Sequence, residues 1–538
     1  MRRSCWVSIL AVVGCFSVFL SVSLAASPKP PLAKQASSQP ATASPKTSPQ
    51  VAPPSAVPPS AAPSGPLAGL SSEIAAVVNS TGIGKMRVGI QIVLLENPPR
   101  VVYEMNSHDA FIPASNQKIF TTAAALTLLP MDFRFRTVLA RRGSDLVVIG
   151  AGDPAFGDPK IAREHNQTIT AVFDEWAAKL KAAGVTRITG DLLFDDSIFE
   201  QEFLHPNWLT QYKNKLQTWY TAPVGGLTFN DNCLDLVVKP SGAIGSPASV
   251  TLIPNTTYAT VQNTAKTASQ GQPVISRTSQ SPVTVLVSGS VSRAGSEDQP
   301  VSLTVCDPGL FFATTLKTTL AANGITIAGQ VRRDRVRQSN GTLPSDLQVV
   351  AVHEQSLLPD IFKRCNMDSQ NLFAECLMKA IGAYAGSPET PRTGSYETGR
   401  QAMLSFMQQI KVSAENCVFD DGSGLSKSNR ATPAALAGVL IAMCRNPQQK
   451  EWIATMATPG PEGTLRKRMK DLNNRVYAKT GHVDGVSTLS GYVFGPNNDR
   501  CYAFSILCNN TGQAVPKGKG AHGLQDAICR KLATWQGH

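Results

Sequence analysis

The stretch Pro113-Ala-Ser-Asn-Gln-Lys-Ile-Phe120 decides the fold, because it joins a Ser-x-x-Lys motif to the start of an apolar helix. The next residues, TTAAALTLL, continue that helix up to a proline. Ser115 then lies in the first turn, where free backbone N–H groups stabilise negative charge. Lys118, three residues later, lies one turn away on the same face. The segment is therefore either a serine nucleophile with a lysine base or a serine cap with a solvated lysine.

Two later motifs carry further polar groups. Ser369-Gln-Asn371 precedes the helical run LFAECLMKAIG, so that a hydroxyl and a carboxamide project from the start of that helix. Lys479-Thr-Gly481 ends the strand RVYAKTG, where the lysine and the threonine hydroxyl can bind a carboxylate and the glycine permits close approach. Taken singly, the first reads equally as a capping loop and the second as a strand that ends in a turn.

The order of the three motifs is more informative than any one of them. Ser-x-x-Lys, Ser-x-Asn and Lys-Thr-Gly, each present once, resemble the triple signature of the penicillin-recognising serine enzymes. Ser115 and Ser369 are 254 positions apart, more than a class A β-lactamase accommodates.

The chain is most similar to the low-molecular-mass class C penicillin-binding proteins, the D-alanyl-D-alanine carboxypeptidase and endopeptidase family. The resemblance runs from about Leu67 to Trp535. Further stretches that carry it are VVIGAGDPAF, VGGLTFNDNCLDLVVKP, DGSGLSKSN, GTLRKRM, and AKTG followed by GVSTLSGYV.

The resemblance implies roles for the motif residues. Ser115 would attack the carbonyl of the penultimate D-alanine of a peptidoglycan stem peptide, and Lys118 would accept its proton. Ser369, with Lys479, would pass a proton to the leaving amine, and Asn371 would hydrogen-bond the substrate amide.

The resemblance also implies the binding groups for the oxyanion and the carboxylate. The backbone N–H groups of Ser115 and His482 would hold the oxyanion, next to Gly481, and Thr480 would help bind the terminal carboxylate. β-Lactams would acylate the same serine. The resemblance requires no cofactor and no metal, and no metal-ligand spacing is present in the sequence.

Four positions leave alternatives open. The family usually has Thr or Ser where this chain has His482, whose imidazole either binds the carboxylate or is a tolerated rim residue. Gln370 stands where relatives commonly have Asp, which removes a charge beside the site. Asp421 either forms a turn or supports the site, and Tyr220 lines the pocket only by family analogy.

The fold class that follows is α/β (α+β): a β-lactamase/transpeptidase-like domain, with an antiparallel sheet flanked by helices, interrupted by a β-rich insertion of two subdomains. Residues 67–156 and 347–538 form the catalytic domain, and residues 157–346, with short β-branched runs between turns, form the insertion. Residues 27–66 are a Pro/Ala/Ser-rich linker. Residues 1–26 are a secretory signal peptide or a membrane anchor, which places the protein in the periplasm or another extracytoplasmic space.

Composition limits the remaining classes. The net charge of +12 fits either an anionic polymer surface or an ordinary solvated surface, and no nucleic-acid module accompanies it. Nine cysteines lie beyond the signal, so disulfides are possible in an exported protein, although their pairing cannot be predicted. Alternatives to the peptidase are a β-lactamase or esterase of the same fold and an inactive wall-binding protein. The sequence leaves the oligomeric state open.

Overall fold

The structure, a computed structural model, describes residues 66–81, 84–293, 300–512 and 519–536. Its helices are α1 (Pro66–Ser80), α2 (Gln117–Leu128), α3 (Pro159–Glu164), α4 (Ala171–Ala182), α5 (Pro206–Gln211), α6 (Pro308–Ala322), α7 (Phe362–Asn366), α8 (Asn371–Tyr384), α9 (Tyr396–Gln409), α10 (Pro433–Met443), α11 (Gln449–Ala454) and α12 (Gly520–Thr534). Its strands are β1 (Arg87–Leu94), β2 (Arg100–Met105), β3 (Arg134–Arg142), β4 (Asp145–Ile149), β5 (Arg187–Ile188), β6 (Leu192–Asp195), β7 (Cys233–Lys239), β8 (Ser249–Ile253), β9 (Ala259–Asn263), β10 (Lys266–Ala268), β11 (Pro273–Arg277), β12 (Val283–Ser292), β13 (Val301–Thr304), β14 (Thr326–Ile327), β15 (Val331–Arg333), β16 (Gln348–Ser356), β17 (Val476–Val483), β18 (Val486–Phe494) and β19 (Cys501–Asn509).

The sheet that carries the site is antiparallel and takes strands from both ends of the chain, in the order β17-β18-β19-β1-β2. Helices α2, α8 and α10 lie on one side, and α1 and α12 pack on the other. Because both faces are covered, β18 and β19 are buried along nearly their whole length, including the Ser and Thr residues of β18. The predicted antiparallel sheet flanked by helices is confirmed.

A second five-stranded sheet has the order β15-β6-β4-β3-β16. Strands β3 and β4 precede residue 157, β6 and β15 lie between residues 157 and 346, and β16 follows residue 346. This sheet therefore crosses both predicted boundaries of the insertion, because strand pairing ignores where a compositional change falls. The division into a catalytic domain and an insertion stays a prediction.

The middle of the chain also contains helices that its β-branched runs did not predict. In α4 the buried residues Phe173, Trp176, Ala177 and Leu180 follow a helical period, and in α6 the Asp307 side chain caps the first turn. Around them lie small sheets with the orders β13-β7-β8 and β10-β12-β11, with β9 also paired to β12. The insertion is thus mixed rather than purely β-rich.

The predicted signal or anchor (1–26) and all but the last residue of the linker (27–66) lie outside the described residues. Within the described ranges, no helix has both the length and the apolar character needed to cross a membrane. The nine cysteines of these ranges all carry free thiols, so the disulfides considered possible do not form among them.

Candidate active site

Ser115 lies in a short 3-10 helix, Ala114–Asn116, that runs directly into α2. This agrees with the prediction of a serine in the first turn, although the turn is tighter than an α-helix. Ala114 has a positive φ of 45°, and its carbonyl oxygen lies against Gly424. A Cβ on Gly424 would come within 1.8 Å of that oxygen, so this close approach requires glycine.

The serine turn is also bound to the sheet. The Thr488 hydroxyl on β18 donates to the Pro113 carbonyl at 2.8 Å, and the Asn116 amide donates to the Lys479 carbonyl on β17 at 2.7 Å. The Ser490 hydroxyl donates back to Asn116 at 2.6 Å. These bonds fix the first and third motifs relative to each other.

Lys118 is fully buried, and its Nζ lies within hydrogen-bond distance of three oxygens. They are the Ser115 Oγ at 3.1 Å, the Asn371 Oδ1 at 2.7 Å and the Ser423 carbonyl at 2.9 Å. Burial lowers the pKa of Lys118 to about 8, and the nearby Glu375 is among the groups that oppose this shift. The first two motifs therefore meet at this amine.

The Asn371 carboxamide has a defined orientation. Its Nδ2 donates to the Tyr220 carbonyl at 2.9 Å, which leaves Oδ1 to accept from Lys118. Tyr220 thus contributes to the site through its backbone carbonyl. The sequence pattern did not predict this role.

The second serine and lysine form a similar contact. The Lys479 Nζ donates to the Ser369 Oγ and to the Thr480 carbonyl, both at 2.8 Å. Lys479 is fully buried, and burial together with the charge of Lys118 lowers its pKa well below the usual value. Ser369 has a φ of 65°, a left-handed conformation that turns its hydroxyl out of the loop before α8.

Lys479-Thr-Gly481 lies on the edge strand β17, which continues to Val483, so the prediction that the strand ends at Gly481 is wrong. A Cβ on Gly481 would lie 2.1 Å from the Thr488 Oγ1 and 3.0 Å from the Ser115 nitrogen, so glycine lets the strand approach the serine turn. The Ala478 N–H points away from β18, to the Ala457 carbonyl. Because strand N–H groups alternate in direction, the His482 N–H points to the same open edge. The His482 side chain is exposed.

Glu375 is a buried residue of the site that the sequence analysis missed. It lies one turn after Asn371 on α8 and accepts from the Gly422 N–H at 2.9 Å and the Ser423 N–H at 2.8 Å. Burial, and then the Asp421 charge, raise the pKa of Glu375 to about 8. An acid four residues after Asn371 within an apolar run was the signal that could have revealed it.

Asp421 organises the loop whose Ser423 carbonyl contacts Lys118. Its two oxygens accept from the Gly424 N–H at 2.7 Å and the Ser426 N–H at 2.6 Å, and from the Trp208 indole at 2.9 Å and the Asn429 amide at 2.8 Å. The turn and the support alternatives for Asp421 are therefore both correct.

Known proteins resemble this chain over most of its length. Residues 70–526 match the model of the D-Ala-D-Ala carboxypeptidase 3 (S13) family. The chain belongs to this family. It is 31% identical over 504 residues to the D-alanyl-D-alanine carboxypeptidase of Actinomadura sp. strain R39, covering 88% of this chain and 86% of that protein. The resemblance found from the three motifs is thereby confirmed, and the S13 family is one of serine peptidases.

Further matches have lower identity. D-alanyl-D-alanine carboxypeptidase DacB of Haemophilus influenzae is 25% identical over 452 residues, covering 79% of this chain and 86% of that protein. The crystal structure of penicillin-binding protein 4 (dacB) from the same organism matches with a TM-score of 0.67 and 22% identity, over 85% of this chain and 98% of that one. A second structure of that protein, in complex with a β-lactam, matches with a TM-score of 0.64. At this identity the match shows that the fold is shared.

Proposed function

We propose that the protein is a serine-type D-Ala-D-Ala carboxypeptidase that trims peptidoglycan stem peptides through an acyl-enzyme on Ser115, and that β-lactams acylate the same residue. The S13 membership supports the activity. The observation that carries the mechanism is the surroundings of the Lys118 amine.

A neutral lysine amine has two N–H donors and one lone pair. Two of the three oxygens around Lys118, the Asn371 Oδ1 and the Ser423 carbonyl, can only accept hydrogen bonds. They use both N–H groups, and the lone pair is left for the Ser115 hydroxyl at 3.1 Å. Lys118 is thus oriented as a base toward Ser115.

Acylation then follows from the positions of the groups. Ser115 Oγ attacks the carbonyl carbon of the penultimate D-alanine while its proton passes to Lys118. The tetrahedral oxyanion lies between the backbone N–H groups of Ser115 and His482, on the open edge of β17. Collapse of this intermediate breaks the peptide bond and leaves an ester on Ser115.

The leaving amine needs a proton, and the second serine–lysine pair lies where it can supply one. The Ser369 hydroxyl, hydrogen-bonded to Lys479, donates to the departing nitrogen, and the proton taken up by Lys118 replaces it. Water then attacks the ester, and Ser115 regains its proton as the acyl peptide leaves.

Substrate is held on both sides of the serine. The Asn371 carboxamide, at the start of α8, hydrogen-bonds the substrate amide, and Thr480 on β17 contacts the terminal carboxylate. Endopeptidase cleavage of cross-bridges is a second candidate function. The observation that favours it is the exposed His482, which stands in place of a carboxylate-binding hydroxyl at the rim.

An extracytoplasmic location completes the proposal. The substrate class lies outside the cytoplasm, and the N-terminal sequence has the charge and apolar pattern of a signal peptide or anchor.

One experiment tests the function. Purified protein and a Ser115→Ala variant are incubated with a labelled penicillin, a pentapeptide that ends in D-Ala-D-Ala, and a cross-linked muropeptide. Ser72→Ala, on the exposed surface of α1, is the matched control. We expect a stable penicillin adduct and D-alanine release, both lost in Ser115→Ala and kept in the control.

The other outcomes distinguish the alternatives. Rapid penicillin turnover without peptide cleavage identifies a β-lactamase, and cleavage of the muropeptide alone identifies an endopeptidase. A wild-type protein without adduct and without cleavage overturns the catalytic proposal in favour of a wall-binding protein.

A further inference from the structure

A buried charge cluster lies behind the Ser369–Asn371 loop. Arg364 on α7 contacts three carboxyl groups: Asp158 at 2.8 Å, Asp231 at 3.0 Å and Asp368 at 3.1 Å. Lys160 also contacts Asp368, at 2.7 Å. Asp158 and Asp231 come from the middle of the chain, whereas Asp368 directly precedes Ser369.

Gln370 connects this cluster to the site. Its Nε2 donates to the Asp231 Oδ2 at 3.0 Å, and its Oε1 accepts from the Asn371 N–H at 3.0 Å, at the first turn of α8. Both ends of one carboxamide are therefore used, one by a distant carboxyl group and one by the backbone of a proposed substrate-binding residue. The left-handed Ser369 lies immediately before it.

The cluster has a limited capacity for negative charge. Two cations, Arg364 and Lys160, face three carboxyl groups. Burial, and then the Asp158 charge, raise the pKa of Asp231 well above its usual value, while Arg364 acts in the opposite direction. The Asp231 Oδ1 is buried without a hydrogen-bond partner, so it is free to carry a proton. With that proton, the carboxylates of Asp158 and Asp368 face Arg364 and Lys160, and Lys160 also contacts Glu164 at 3.4 Å.

A neutral residue at position 370 fits this balance. A glutamate there would place a fourth carboxyl group 3.0 Å from the Asp231 Oδ2, and its charge would be buried without compensation. Gln370 instead supplies a neutral donor to the Asp231 Oδ2, which also accepts from Arg364.

We propose that Asp231 is a positioning residue that holds the Ser369–Asn371 loop in its working geometry through Gln370, and that position 370 must be neutral because Asp231 is present. This inference rests on the proposed function. The carboxyl group that position 370 lacks is present beside it as Asp231, which comes from the middle of the chain.

The test exchanges the two groups. The variants are Gln370→Glu, Asp231→Asn, the double variant Asp231→Asn/Gln370→Glu, and the surface control Gln408→Glu on α9. For each, penicillin acylation is measured per active site, together with kcat and KM for D-alanine release and the Tm. Each rate is divided by the concentration of active sites, so that unfolded protein does not lower it.

Gln370→Glu is expected to slow acylation about 30-fold and to lower kcat with little change in KM. The added charge displaces Ser369, whose proposed role is proton transfer rather than substrate binding. Asp231→Asn keeps an acceptor for Gln370 and loses about threefold. The double variant returns to three carboxyl groups and recovers to within about threefold of Asp231→Asn.

Two results overturn the inference: Gln370→Glu as active as Gln408→Glu, or a double variant as slow as Gln370→Glu alone. A wild-type protein that neither binds penicillin nor releases D-alanine overturns the proposed function and this inference with it. A wild type that is acylated, with an unaffected Gln370→Glu, overturns the positioning role alone.

Discussion

Lys118 and Lys479 are both fully buried beside a serine hydroxyl, and they differ in the charges around them. Glu375 and Asp421 oppose the effect of burial at Lys118, whose pKa stays at about 8. At Lys479 the charge of Lys118 adds to burial, and the pKa falls well below its usual value. The comparison teaches that neighbouring charges distinguish the two amines: acids hold the pKa of Lys118 up, whereas a neighbouring cation lowers that of Lys479 further. The proton that controls acylation is then the one on Lys118.

Replacing each lysine in turn should give the largest differences in acylation rate. We expect Lys118→Met to slow penicillin acylation by about 10⁴-fold, since the base is lost, and Lys479→Met to slow it by about 10²-fold. Rapid mixing with a chromogenic β-lactam measures both rates. Equal losses in the two variants would contradict the assignment of Lys118 as the base.

Gly424→Ala tests the loop that orients Lys118. The added Cβ would come within 1.8 Å of the Ala114 carbonyl, at a φ of +80°, so the serine turn has to move. We expect about 30-fold slower acylation and a lower Tm. Gly184→Ala is a matched control, because Gly184 has a φ of +73° and no neighbouring atom within 4 Å. If the two variants behave alike, backbone strain rather than the contact explains the loss.

The pH dependence of acylation reports the proton on Lys118. Only the neutral amine acts as a base, and with a pKa of about 8 only a small fraction is neutral at pH 7. The rate should therefore rise about tenfold from pH 7 to a plateau above the pKa. Stopped-flow rates between pH 6 and 10 give the midpoint. A rate that does not vary over this range would exclude Lys118 as the titrating base.

Glu375→Gln makes the surroundings of Lys118 more like those of Lys479. Because Glu375 raises the pKa of Lys118, its removal should move the midpoint of the pH profile down by about one unit. The amide has only one acceptor for the two N–H groups that Glu375 binds, so the Tm should also fall. A midpoint that stays in place would show that Glu375 acts only on the loop.

The sequence predicted the parts of the fold whose signal is local. Helix α2 and strand β19 appear as largely apolar runs, because both are buried along most of their length. The sequence did not predict the second five-stranded sheet. Its strands come from three separate parts of the chain, and pairing over such distances leaves no local pattern. Helix α6 was missed because its Phe and Thr residues favour strands in isolation.

The site residues also fall into those that the sequence predicted and those that it did not. Ser115, Lys118, Ser369, Asn371 and Lys479 carry motifs, and the structure brings all five together. The Ser423 and Tyr220 contributions are backbone carbonyls, which no side-chain pattern reveals. Glu375 and Asp231 act through partners that are distant in sequence, so those contacts became visible only in three dimensions, although the position of Glu375 within an apolar run was a local signal.

The central sheet has a consequence for how the chain acquires its structure. Strand β1 lies between β2 and β19, with Leu94 opposite Tyr502, so β1 and its neighbour β19 are separated by roughly four hundred residues of synthesis. A nascent chain that has lost its last hundred residues lacks the inner partner of β1 and the strand that bears Lys479. The contact order of this sheet is therefore high, and its assembly waits for the end of translation. Premature termination would leave an exposed strand edge open to aggregation rather than a weakened enzyme.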